Sequence, residues 1–275
     1  MSSKYVIKPL DKASLEKFFD SEAQKVIRFY IAKSLFAQPE TLDTQGNLPI
    51  HIPKEHIEQW AVQALGVSSV GAGSYPVDVI NESGVRWGAD IKMLSCKVNE
   101  GELTRAESGE TSLSQKFTGA GNMLDAMFND KKYHKIIQDF VEIYSNKMHT
   151  VMKEKNLNDV YYFFLLRAGT KFYICGMKIF LNNLKHVKYL RNTNKNVWTE
   201  NFLEEKYGSV RVFQSKKRME LRLRPKQWKD DDLLIEFDTN GLIPTTNIKS
   251  IINQPTKLKE HIDVLINELY GSIME

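Results

Sequence analysis

The chain has only two cysteines, Cys96 and Cys175, far apart in apolar, strand-like surroundings. A disulfide framework is excluded, and two buried thiols in a reducing compartment are the expectation. Histidine is sparse too. His51 and His56 are separated by Pro53, and His134 and His149 fall on an expected helix without Cys or His partners at ligand spacing, so no zinc pattern is present. No run approaches the roughly 18 apolar residues of a membrane helix. The start, Met1-Ser2-Ser3-Lys4-Tyr5-Val6, carries no apolar signal region, and a cytoplasmic location is expected. There is no Gly-x-Ser-x-Gly elbow and no phosphate loop of the Gly-Lys-Ser/Thr kind. The small residues 66–75 lack a strand–Gly-x-Gly-x-x-Gly–helix context. They read either as a flexible turn or as bare main chain past which a phosphodiester backbone can run.

What is present is ordinary in amount and uneven in placement. Hydrophobic residues make up 42% and charged residues 26% of the 275 positions, enough for one large domain. The net charge is +4, but residues 185–229 hold 13 Lys and Arg against 4 Glu and no Asp, a local +9, which leaves the rest at −5. Such a stretch is either a solvated basic face or the contact surface for a polyanion.

Apolar spacing predicts helices over 14–36 (capped by Ser14), from Pro53 to Gly66, over 112–128 and over 132–154. A last helix is expected from about Pro255 to Tyr270, with Leu258, Ile262, Leu265, Ile266 and Leu269 facing inward. Strands are expected at 76–80 and 85–95, joined by Asn81-Glu82-Ser83-Gly84, with the polar residues 99–112 mobile. The runs 160–166 and 172–180 flank Ala168-Gly169-Thr170 and are nearly continuous in apolar character, as in central strands buried on both faces. Residues 209–224 alternate around Gln214-Ser215-Lys216-Lys217-Arg218 and predict a basic hairpin. Leu233–Phe237 adds a strand ended by Asn240-Gly241. The fold class is α/β, a mixed central sheet flanked by helices. The chain is read as one domain, with a core over about 53–180 and the basic extension over 185–229.

The chemistry centres on residues 76–92. Asp90 and Lys92 stand at i and i+2 of an expected strand and project to one face, with Ile91 on the other. If the segment around Asp78 lies alongside, two carboxylates and an ammonium converge. That is a site for a hard divalent cation with a positive charge beside it. Charges inside the apolar setting of Ala89, Ile91, Met93 and Leu94 are costly unless paired. An Asp90–Lys92 ion pair without chemistry is the plainer alternative.

These residues resemble the PD-(D/E)XK nuclease motif, with Asp78 as its first acid and Asp90-Ile91-Lys92 as its second half. Val77, inserted between Pro76 and Asp78, departs from the pattern. The helix, strand hairpin, helix, strand order over 53–180 also resembles the core of that family, and the size and basic extension are most similar to type II restriction endonucleases. The resemblance implies Mg²⁺-dependent hydrolysis of double-stranded DNA to 5′-phosphate and 3′-hydroxyl ends, with Mn²⁺ as a substitute metal. It implies metal coordination by Asp78, Asp90 and the Ile91 carbonyl, and water activation near Lys92. A third acid is sought among Glu58, Glu55 and Glu22, and Gln115 is a candidate for positioning a phosphate or water. Arg211, Gln214, Lys216, Lys217, Arg218, Arg222 and Arg224 are the candidate DNA contacts. Cutting both strands of a symmetric site favours a homodimer. A repair or recombination nuclease of the same superfamily and a DNA-binding protein without catalysis are the rival readings.

Overall fold

The computed structural model describes residues 4–40, 42, 50–70, 75–114, 121–238 and 246–274. In chain order the first elements are β1 (Ile7–Pro9), α1 (Lys12–Leu15), α2 (Ser21–Phe36) and α3 (Lys54–Leu65). Next come β2 (Ser68–Ser69), β3 (Val79–Asn81), β4 (Trp87–Ser95), β5 (Val98–Asn99), β6 (Glu102–Leu103) and β7 (Glu110–Ser114). They are followed by α4 (Gly121–Asn129), α5 (Tyr133–Glu154), β8 (Asp159–Ala168), β9 (Lys171–Ile179) and a 3₁₀ turn at Leu181–His186. The remaining elements are β10 (Lys188–Asn192), β11 (Asn196–Glu200), β12 (Gly208–Phe213), β13 (Arg218–Leu223), α6 (Pro225–Asp230), β14 (Ile235–Asp238), α7 (Ile248–Ile251) and α8 (Pro255–Met274).

A seven-stranded mixed sheet forms the centre, in the order β1-β9-β8-β4-β3-β2, with β14 also paired to β9. Its one parallel junction joins β4 to β8, and the excursion between them contains α5. The apolar run of β8 is buried on both faces, as the pattern requires. Tyr162, Phe164 and Leu166 turn toward α5, while Tyr161, Phe163 and Leu165 turn toward α2 and α3. The sheet edge beyond β9 comes from both ends of the chain, since β1 and β14 lie outside the expected 53–180 core.

A second, five-stranded antiparallel sheet runs β10-β11-β12-β13-β7. Val197, Val210, Val212, Met219, Leu221 and Leu223 join the buried cluster that includes Ile136, Phe140 and Tyr144 of α5. Helix α5 thus lies between the two sheets, with an apolar residue every third or fourth position to serve both. The expected basic hairpin exists as β12–β13, but as the inner strands of this sheet and not as a projecting arm.

Several expectations are corrected. The single helix over 14–36 is two, because Asp20 caps a new start by accepting the Glu22 and Ala23 amides at 3.0 and 2.9 Å. The first cap is Asp11, which accepts from the Ser14 amide at 2.7 Å. The break turns Phe18 and Phe19 onto Trp87 and Phe163, at ring distances of 5.2 and 5.1 Å. Residues 99–112 are ordered as β5, β6 and the start of β7. Pairing with β13 overrides helix propensity there, and the helix expected from Ser112 begins only at Gly121. Gln115 and Asn240-Gly241 lie outside the described residues. In α8 Leu265 is buried, but Ile262 and Ile266 are 42% and 50% exposed. The helix of 54–65 is as expected, closed by Gly66 at φ +61°, a left-handed position suited to glycine.

Candidate active site

The hairpin of β3 and β4 builds the candidate centre. The amide of Asp78 donates to the Ala89 carbonyl at 2.8 Å, which fixes its backbone against β4 just before β3 begins. Its side chain then folds over the edge of β4, where Oδ2 accepts from the Ile91 amide at 2.7 Å and from Lys92 Nζ at 3.0 Å. Lys92 Nζ also closes onto Asp90 Oδ1. The i, i+2 alternation of β4 does what strand geometry demands, since Ile91 enters the core under α2 and α3 while Asp90 and Lys92 face the α5 side.

Ile91 also has a main-chain role. β3 pairs with β4 only as far as Ala89, so beyond that point the β4 edge has no paired strand on the β3 side among the described residues. The Ile91 amide points to Asp78 on that edge. In extended chain the N–H and C=O of one residue point to the same side, so its carbonyl opens there too, away from the β8 ladder.

The electrostatics are strained. Asp90 is 8% exposed, and burial pushes its carboxyl up to about 8, helped by Asp78 and opposed by Lys92. Burial acts to lower the Lys92 ammonium, but Asp90 and Asp78 outweigh it and hold it above the ordinary lysine value. Of the three candidate third acids the fold brings in one. Glu58 of α3 is half-buried, and its carboxyl is raised by burial and then by Asp78, whereas Glu55 and Glu22 are exposed. Composition and spacing did not point to Lys147. It sits on α5, three residues after Tyr144, whose hydroxyl meets that of Tyr162 at 3.0 Å directly across the β4–β8 register from Asp90. Burial lowers the Lys147 ammonium, and the Asp90 carboxylate works against that. A helical i, i+3 relation to a tyrosine is too common to have identified it beforehand.

A cavity of about 320 Å³ opens beside Lys92 and is lined by Glu58, Met93, Glu110, Ser112 and Arg218 among others. A larger hollow of about 770 Å³ lies around Met152, Asp159 and Phe180. Neither lining includes Asp78 or Asp90; the smaller cavity reaches the triad through Lys92, the larger does not touch it, and size alone does not locate the chemistry.

The donor chemistry fits a hard cation. The Asp78 and Asp90 carboxylates meet at Lys92 Nζ, and the Ile91 carbonyl opens on the edge that Asp78 covers, oxygen donors of the kind Mg²⁺ takes while keeping several waters. Among the described residues no three His, Cys, Asp or Glu side chains are grouped to hold a metal, so Glu58 stands near the pair without joining it. The thiols of Cys96 and Cys175 are free; Cys175 is buried as expected, whereas Cys96 is only partly buried.

Every candidate DNA contact already has an internal partner. Arg211 donates to Glu107 at 2.6 Å and Gln214 to Asp125 at 3.0 Å. Lys216 and Arg222 bond Glu110 at 2.5 and 2.8 Å, and Arg218 bonds Glu220 at 2.5 Å. Lys217 lies 3.7 Å from Asp125, and Arg224 donates to the Glu205 carbonyl at 2.7 Å. Glu107, Glu110 and Asp125 come from outside 185–229, so the local +9 overstates the free charge of this segment. The fold does gather Arg211, Lys216, Arg218 and Arg222 around Glu110 and Glu220 on one side of the second sheet, while Lys217, Gln214 and Arg224 lie at its margins.

No family model matches the chain, and neither curated proteins nor solved structures gave a match.

Proposed function

We propose that the chain is a Mg²⁺-dependent endonuclease that cuts double-stranded DNA at specific sequences, in the manner of a type II restriction enzyme with a restriction-endonuclease-like core. The observation that carries the reading is the convergence of Asp78, Asp90 and Lys92 at an open strand edge beside a cavity. Asp78, Asp90 and the Ile91 carbonyl would hold the metal. Bound there, the cation would polarise the scissile phosphate, acidify the attacking water and neutralise the leaving 3′ oxygen. Lys92, kept as an ammonium by its two carboxylates, is suited to donate to the water or to a non-bridging phosphate oxygen as charge builds on phosphorus. Glu58, whose carboxyl is raised by burial and by Asp78, would accept a hydrogen bond from a water of the metal shell. The side of the second sheet carrying Arg211, Lys216, Arg218 and Arg222 would face the duplex, and a homodimer would present two such centres to a symmetric site. Among the described residues no helix is long and apolar enough to cross a membrane.

A second reading also has an observation in its favour. Lys92 is closed on both carboxylates, as a purely structural ion triad would be. Supercoiled plasmid incubated with the protein and Mg²⁺ separates the readings. Discrete fragments support restriction, nicking that depends on DNA structure supports a repair nuclease of the same superfamily, and binding without cleavage sinks both.

A further inference from the structure

The geometry points to Arg218 as a phosphate clamp at the rim of the catalytic cavity, and to Glu220 as the positioning residue that fixes it. This rests on the nuclease reading and adds to it a physical link between the second sheet and the Asp78–Asp90–Lys92 centre.

Arg218 opens β13 and lines the same cavity as Lys92 and Glu58, so among the described residues it is the cation of the basic segment on the wall of that cavity. The edge strand β7 spans the gap, with Glu110, Thr111 and Ser112 on the cavity wall. Glu220 pairs across to Ser112 and is wholly buried, with 0% exposure. A buried carboxylate is retained at a cost in desolvation, and only close cations offset it. Here its Oε1 accepts from Arg218 Nε at 2.5 Å and lies 3.1 Å from Lys216 Nζ, while Oε2 has no hydrogen-bond partner.

The choice of nitrogen matters. Glu220 takes the Nε edge of the guanidinium. Among the described residues the contact given for the terminal nitrogens is a long one, Nη2 to Glu110 at 3.8 Å, and they are not among the buried atoms lacking partners. With Nε engaged and Arg218 on the cavity wall, they are the donors left to serve as a fork toward the cavity. Such a fork recognises a phosphate with two parallel donors, which a lysine ammonium cannot do. Lys216 and Arg222 are tied to Glu110 by short bonds and flank the fork as a fixed positive frame. The scissile phosphate would lie at Lys92, and a neighbouring phosphate of the same strand would be held by Arg218.

The test measures binding and cutting separately. Binding is read by fluorescence anisotropy on duplex DNA with Ca²⁺, over a salt series, and cutting by single-turnover cleavage with Mg²⁺ at saturating DNA. Arg218→Ala should cut about 100-fold more slowly, the scale of a lost positioning contact, and should lower the salt slope by about one. Arg218→Lys should keep the slope and still lose rate. Glu220→Gln should keep the slope and slow cutting about tenfold, because the charge remains but its aim is lost. Wild-type cutting rates in Arg218→Ala, with the parent enzyme active, overturn this inference alone. If Glu220→Gln loses its thermal transition, Arg218→Lys decides, and full activity there overturns the clamp. A parent protein that neither binds nor cuts DNA overturns the nuclease reading and the clamp with it.

Discussion

Two charge clusters meet one cavity, the first through Lys92 and the second through Glu110 and Arg218, and they are balanced in opposite ways. At the β3–β4 corner two carboxylates share one ammonium, burial dominates, and Asp90 is driven toward its neutral form. On the second sheet Glu110 and Glu220 are met by Lys216, Arg218 and Arg222, and the Lys216 hydrogen bond holds the Glu110 carboxyl below its ordinary value. The first cluster lacks positive charge and the second is supplied with it. A conflict kept in the folded state at a cost is a stronger pointer to chemistry than a satisfied network of the same residue types. On the proposed reading the first cluster would take a cation and the second a polyanion.

The largest expected effect breaks the first cluster. Asp90→Ala or Lys92→Ala should lower plasmid cleavage about 1,000-fold or more while leaving DNA affinity in Ca²⁺ nearly unchanged. Loss of the thermal transition instead would place these residues in the structural ion triad. The next effect tests the second cluster. Neutralising Lys216, Lys217 and Arg218 together should weaken DNA binding by about 10-fold to 100-fold at moderate salt and flatten its salt dependence by two to three counterions. An unchanged slope would put the DNA path on another face.

A third effect concerns stability alone. The Asp90 carboxyl holds its proton to about 8 in the fold, against 3.8 for the free group. Its favourable contribution is therefore complete below pH 3.8 and is lost as pH rises through 8. In chelator, Asp90→Asn should melt higher than the parent at pH 9 and show a smaller advantage at pH 6. About 2–4 °C per kcal/mol is the scale to look for. A calorimetric series in which the variant gains nothing at pH 9 would mean that Lys92 compensates the charge in full, and the contrast between the clusters would vanish.

Much of this arrangement was legible in the residues, for identifiable reasons. Strand alternation is strict, so Asp90 and Lys92 had to share a face, and the apolar density of 160–166 demanded a strand covered on both sides. Pro53 and Gly66 bracket a helix through local backbone preferences. What was not legible depends on distant pairing. Nothing within 99–114 announces that it will be ordered by β13, more than 100 residues away, nor that Glu107 and Glu110 will absorb cations counted as free. Glu58, Glu55 and Glu22 look alike as helix carboxylates, and only the packing of α3 on the sheet singles out the first. Lys147 required the placement of α5 over Asp90.

The smallest expected effect sharpens the edge of the first cluster. Glu58 feels Asp78 as a like charge and is raised by burial, yet it does not complete a three-carboxylate cage. Under the proposed nuclease reading, a residue in that position would orient metal-bound water and add negative potential without being a ligand itself. Glu58→Gln keeps the shape and removes the charge. It should raise the Mg²⁺ concentration for half-maximal cleavage by about tenfold at most, with near-parental cutting recovered at saturating metal. Titrating Mg²⁺ at fixed DNA reads this directly. Removing a like charge should also relieve the metal-free protein, so its melting point in chelator should not fall. If instead no Mg²⁺ concentration restores cutting, Glu58 belongs to the ligand set itself, and the cluster holds three carboxylates against one ammonium.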